Sequence, residues 1–233
     1  MKYRLSITLS FALAFPLFAQ NNEAGRIEDA GKAAEQIFNA PEKIPQDTLD
    51  QADCVVIVPS VVKFTASAAG SYASGVITCR SGIGFSGPWG SPAMVSLEST
   101  AAESQLSGNA TDFVLLLMSP GAVDKLLKGG VKLGTDGSAS AGPVAGTNSK
   151  KTEINVQADI LTYSRASGMI LGVSLEGSTL RPDNNANKNL YGQGKTVESI
   201  VFGKPVSVRD SAKNLLATLQ KVSPAKKLRA VPK

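Results

Sequence analysis

The sequence predicts an α+β fold: a twisted, largely antiparallel sheet curled toward a barrel or sandwich, with flanking helices at both ends. Three observations carry this. Apolar residues recur at helical spacing near the start and near the end of the chain. Between those segments lie short apolar runs punctuated by Gly, Pro and Ser, the pattern of strands and turns. One such region, residues 160–177, reads as a hairpin turning at Ser167-Gly168. The length suits one sizeable domain with a real core, and no fixed-period repeat is visible.

Taken in order, residues 23–39 place Ile27, Ala30, Ala34, Ile37 and Phe38 on one helical face, with Glu28 and Lys32 at i,i+4 and Pro41 as the stop. Ile44-Pro45 opens a second short helix through Leu49 and Ala52. Residues 54–58 are a continuous apolar run, a buried strand closed by Pro59. Residues 65–72, 74–79, 91–97 and 112–118 read as further strands. Ser119 caps a short helix with Pro120 in its first turn, and Gly129-Gly130 ends it. Small and alternating residues over 131–158 suggest strand and Gly-rich turn. In the hairpin the first strand ends at Tyr163, a loop of about four residues follows, and residues 169–175 return. Gly172 lacks a side chain where another backbone or a ligand approaches closely. Finally, Val208, Ala212, Leu215, Leu216, Leu219 and Val222 form an amphipathic helix of about four turns, with Arg209, Lys213 and Lys221 along its other side. Pro224 ends it, and residues 225–233 read as a loose tail.

The first residues predict export. Lys2 and Arg4 precede an apolar run over 5–18, interrupted by Pro16, and Ala19 is a small residue at a plausible cleavage point. An uncleaved anchor would need about 20 apolar residues, more than this run holds. Without residues 1–19 the chain carries 22 basic and 19 acidic residues, unevenly spread. From Lys204 onward there are eight basic residues and one acid, Asp210, which leaves the preceding body at net −4. A cationic end on an acidic body implies an anionic partner or simply a solvated tail, and export selects membrane over nucleic acid.

The absence of histidine removes imidazole-dependent triads and metal clusters. Cys54 and Cys79 are too few for a four-cysteine zinc site. In an exported chain they form one disulfide or remain two buried thiols in neighbouring strands. Gly82-Ile83-Gly84-Phe85-Ser86-Gly87 spells a phosphate-loop pattern, but Pro88 stands where the helix should begin, so it reads as a turn. Ser60-Val61-Val62-Lys63 spells the start of a serine acylase site without its companion motifs. Residues 183–187 start like a calcium loop, yet Lys188 replaces the required Gly and Gly194 the bidentate Glu. Asp183 as a helix cap is the better account. Asn109-Ala110-Thr111 is a short glycosylation spelling, and Glu98 and Glu103 are paired acids only by proximity in sequence. Trp89, the sole tryptophan, is either an interface anchor in lipid headgroups or a lid over the core.

Over residues 41–192 a series of elements appears in a specific order: Ala52-Asp53 before a strand ending at Pro59, Val62-Lys63, Gly75-Val76, Arg80, Gly87-Pro88-Trp89 and Ser91-Pro92, then Leu133-Gly134, Ala141-Gly142-Pro143, Tyr163-Ser164, Gly168, Gly172 and Tyr191-Gly192. This order resembles the SYLF domain family. The resemblance implies a compact domain that binds phospholipid, including phosphoinositides in eukaryotic members, some of which also bind actin. An exported chain would not meet cytosolic actin. The family often begins with a basic amphipathic helix, whereas residues 23–39 here are net −2 and would be repelled by anionic headgroups.

These observations divide the chain into a signal peptide (1–19), an amphipathic helix (20–40), a SYLF-like lipid-binding domain (41–203), and a basic amphipathic helix with its tail (204–233). The expected function is non-enzymatic binding of anionic phospholipid, of phosphoinositide type, without cofactor, metal or nucleic acid, by a periplasmic or extracellular protein peripheral to a membrane. Lys63, Arg80, Trp89, Arg209, Lys213 and Lys221 are the expected lipid contacts. The alternatives are an envelope structural module docking a protein partner, and a serine hydrolase using Ser60 and Lys63.

Overall fold

The structure is a computed structural model and describes residues 22–41, 43–61, 65–67, 70–98, 110–134, 139–144, 158–203, 210–224 and 226. The expected signal peptide, Lys63, Glu103, Asn109 and Arg209 therefore lie outside the described residues. The helices are α1 (Asn22–Phe38), α2 (Gln46–Gln51), α3 (Pro120–Leu127), α4 (Asn184–Tyr191), α5 (Val197–Val201) and α6 (Asp210–Val222). The strands are β1 (Cys54–Val61), β2 (Thr65–Ser67), β3 (Gly70–Cys79), β4 (Ala93–Glu98), β5 (Thr111–Leu117), β6 (Val131–Lys132), β7 (Ala139–Ala141), β8 (Ile160–Ala166), β9 (Met169–Gly172) and β10 (Thr179–Pro182).

Among the described residues, ten strands join one curled sheet in the order β6-β10-β4-β3-β1-β5-β8-β7, with β2 on β3 and β9 on β8. Every pairing is antiparallel except β7 with β8. The predicted α+β class, with a curled and largely antiparallel sheet between helices, is what the chain adopts. Both faces of the sheet are covered. Val56, Ile77, Val95, Leu115 and Leu180 pack with α3 and α5, whereas Val55, Val76, Met94, Leu116 and Leu161 pack with α1, α4 and α6. Two-sided burial explains why 54–58 reads as a continuous apolar run and why β5 is apolar at every position from Phe113 to Leu117 instead of alternating.

Predicted caps are in place. The Ser119 hydroxyl accepts from the Ala122 amide at 3.2 Å, and the Asp183 carboxylate accepts from the Ala186 amide at 2.9 Å. The apolar stripe of α6, through Ala212, Leu215 and Leu219, is buried against the domain and is not a free membrane face. Gly31 on α1 lets α6 in: a Cβ there would lie 3.1 Å from the Leu215 amide nitrogen.

Three boundaries differ from expectation. Residues 65–72 are not one strand, because Thr65 pairs with Tyr72 and Ser67 with Gly70 across a β2–β3 hairpin. β8 continues past Tyr163 to Ala166, and the turn is only Ser167-Gly168, with φ of 50° and 84°. Two consecutive left-handed residues suit the twist of a two-residue hairpin. β9 ends at Gly172 instead of Leu175. Gly172 does face another backbone: a Cβ there would overlap the Gly142 carbonyl oxygen, and one on Gly142 would overlap the Tyr163 ring.

Candidate membrane-contact site

β3 and β4 are joined by a short excursion whose base is a β-bridge between Arg80 and Trp89. Above the bridge, the Ser81 amide donates to Pro88 O at 2.9 Å and the Gly87 amide to Ser81 O at 2.8 Å. Gly82, Gly84 and Phe85 have φ of 79°, 67° and 57°, so the tip is built from left-handed residues. The phosphate-loop spelling is thus a tight turn carrying one 3-10 turn, Ile83–Phe85, and no phosphate-binding helix follows. At its tip Ile83 is 98% exposed. Phe85 packs edge-on against Phe202, which follows α5, with ring centroids 5.7 Å apart. The Lys226 ammonium stands 5.9 Å from the Phe85 ring.

Beneath this apolar tip lies a buried polar network. Arg80 is fully buried with its guanidinium 4.1 Å over the Trp89 ring. Its Nε donates to Ala52 O at 3.2 Å, and its Nη2 to Ser223 O at 3.0 Å and Ser223 Oγ at 2.6 Å. Trp89 Nε1 donates to the same Ser223 carbonyl at 3.0 Å, and the Ser223 hydroxyl donates to Asp50 at 2.6 Å. Asp53, also fully buried, pairs with Lys226. Two acids thus offset two bases, and the segment after α6 is fastened to the β3–β4 loop. Among the described residues, Arg80 Nη1 and Asp53 Oδ2 have no hydrogen-bond partner. Burial raises the Asp53 carboxyl, with Lys226 and then Arg80 opposing the shift. Burial lowers the Arg80 guanidinium, with Asp50 and Asp53 opposing.

Placement of the expected contacts is mixed. Arg80 is corrected: its charge points into the protein and meets Ser223 and Ala52, so it offers no near-surface cation. Trp89 is 7% exposed and serves as the lid whose ring receives Arg80, not as a headgroup anchor. Lys221 is exposed in the last turn of α6, two residues before Ser223. Lys213 is exposed about 12 Å further back along α6 and pairs with Asp210 at 2.6 Å. Lys63 and Arg209 fall outside the described residues. Sequence reading missed Ile83, Phe85, Phe202 and Lys226. Apolar residues inside a Gly-rich loop, with no partner at helical or strand spacing, were the available signal.

Cys54 and Cys79 are cross-strand partners on β1 and β3 and form the expected disulfide, directly beside Asp53 and Arg80. Ser60 sits at the β1 bulge with φ of 52°, its amide donating to Asp112 at 2.8 Å. Arg165 in turn pairs with Asp112 at 3.1 Å. Among the described residues, no cluster of His, Cys, Asp and Glu is arranged to hold a metal, and no helix is long and apolar enough to cross a membrane. Glu98 pairs with Arg181 at 2.7 Å.

Residues 99–222 match the Ysc84 family, described as Las17-binding protein actin regulator. "LAS seventeen-binding protein 3" of Saccharomyces cerevisiae is 29% identical over 191 residues, covering 81% of this chain and 41% of the yeast protein. "SH3 domain-containing protein PJ696.02" of Schizosaccharomyces pombe is 31% identical over 192 residues, 81% of this chain and 44% of its own length. "SH3 domain-containing YSC84-like protein 1" of Homo sapiens is 28% identical over 179 residues, 74% of this chain and 51% of its own length. The chain spans about half or less of these relatives. With its ordered motifs and its curled sheet between helices, this protein belongs to the Ysc84 (SYLF) family.

Proposed function

We propose that this protein is a non-enzymatic, exported phospholipid-binding module that docks on a membrane surface through the β3–β4 loop. The observation that carries it is Ile83, 98% exposed at the tip of a loop held rigid from below. A lone exposed isoleucine is ordinary. This one stands beside the Phe85–Phe202 pair, and Lys226 stands over the Phe85 ring. The sequence adds Lys204 two residues after Phe202 and Lys227 beside Lys226.

Burying the Ile83 side chain among acyl chains supplies about 1.5–3 kcal/mol. Each lysine near an anionic surface adds about 1 kcal/mol before screening. Both together are needed, since one small apolar tip gives only marginal binding. The relatives' names refer to Las17 and to SH3 domains, in proteins of which this chain covers 41% and 51%. Those partners are not carried over to this chain.

Co-sedimentation of the chain lacking residues 1–19 with anionic and zwitterionic vesicles tests the proposal. Pelleting should favour anionic vesicles, fall with added salt, and drop about tenfold in affinity in Ile83→Glu. Equal pelleting of Ile83→Glu and the unaltered chain would overturn the assignment of the loop.

A further inference from the structure

The face of the sheet under α1, α4 and α6 is apolar at Val76 and Met94. Further along the same face it turns polar, at Tyr72 on β3 and at Ser96 and Glu98 on β4, where Tyr72 pairs with Glu98. There the helices stop short. The first turns of α1, with Glu23 and Arg26, and the start of α4, with Asp183, Asn184 and Asn185, stand as walls around an open groove of about 520 Å³.

A polar end to a sheet face is by itself only solvated surface. Two features make this one a site. Its volume falls in the range that holds small molecules, about 300–1,000 Å³. Its hydrogen-bonding groups are also left available: among the described residues, the Arg26 guanidinium, the Tyr72 hydroxyl and the Asn184 and Asn185 side-chain amides have no protein partner.

Charge and chemistry narrow the ligand. Glu23, Glu98 and Asp183 outnumber Arg26, which disfavours an anion. Each carboxylate already accepts a bond, Glu23 from Asn189 at 3.2 Å, Glu98 from Arg181 at 2.7 Å and Asp183 from the Ala186 amide at 2.9 Å. None is a bare charge seeking a cation, and no metal cluster forms among the described residues. The second carboxylate oxygens remain acceptors, while the arginine and amides donate. Hydroxyl groups, which donate and accept at once, match this mixture, and the Tyr72 ring adds one apolar surface. We propose that this groove binds a neutral polyhydroxylated ligand, a saccharide unit.

The assignment is independent of the membrane contact, which lies at the opposite end of β3. Saturation-transfer NMR and calorimetry on the chain lacking residues 1–19 would use maltotriose and chitotriose as neutral probes, with spermidine and citrate as charged ones. Saturable binding of a neutral trisaccharide is expected, weakened about tenfold by Arg26→Ala and by Tyr72→Ala and unchanged by Ile83→Glu. Thermal melts of each variant establish that it is folded. No saturable binding of either trisaccharide, binding indifferent to Arg26→Ala, or tighter binding of spermidine or citrate would each overturn the proposal.

Discussion

The two ends of β3 invert one another. At Cys79-Arg80 the charges lie inside and the apolar residues outside: Arg80, Asp50 and Asp53 are buried while Ile83 projects. At Tyr72, the exposed side chains are polar and the apolar residues stay beneath the helices. The difference shows that residue type does not fix which side of the surface a side chain takes. A buried charge persists where its partners are also buried, and a solvent-exposed isoleucine persists where backbone conformation holds it out.

That contrast can be broken most severely at Arg80. Arg80→Met removes the counter-charge of Asp50 and Asp53 and three hydrogen bonds to Ala52 and Ser223. Urea denaturation should show a loss of about 3–5 kcal/mol. A near-neutral result would mean that the network closes without its guanidinium. The next effect belongs to the disulfide that pins β1 to β3 beside this network. The double variant Cys54→Ala, Cys79→Ala should lose about 2–4 kcal/mol in the same measurement.

Smaller is Gly142→Ala, whose methyl group must displace the Tyr163 ring or the backbone, at a cost of about 1–3 kcal/mol in thermal unfolding. Tyr163 is fully buried with a hydroxyl that has no partner among the described residues, and burial raises its ionisation well above the usual phenol range. The ring therefore has no alternative place to satisfy.

Asp53→Asn sharpens the comparison through pH. Burial raises the folded carboxyl above its ordinary 3.8, so the folded state holds that proton more tightly than the unfolded chain. The contribution to stability is complete below the unfolded value and is lost as pH rises through the raised one. Urea midpoints of the unaltered chain should therefore carry a component that declines as pH climbs out of the carboxyl range, and Asp53→Asn should lack it. A steeper decline in the variant would show that Lys226 outweighs burial. The least effect on stability is expected from Ile83→Glu, within about 0.5 kcal/mol, because the side chain touches so little of the protein.

Much of the fold was legible from local chemistry. Ser119-Pro120 and Asp183 marked helix starts, the run at 54–58 marked a central strand, and Gly172 marked a close approach. The shorter hairpin at Ser167-Gly168 was not, because strand pairing carries β8 three residues beyond Tyr163. The site was less legible. Arg80 reads as a surface cation because arginine usually is one. The return of the chain at Ser223, across 143 residues, supplies two of its three buried hydrogen bonds, and Ala52 the third. Lys226 reads as part of a loose tail until Asp53 is placed next to it.

By itself the sequence determined where most of the helices and strands lie, that residues 54–58 would form a buried strand, and that two cysteines were free to pair. Those properties follow from spacing, capping and composition, which act over a few residues. Tertiary structure alone decided that Arg80 is enclosed, that Ile83 protrudes, and that the far end of β3 opens into a polar groove. Burial and charge pairing depend on segments far apart in the chain, and no local pattern records which of them will meet.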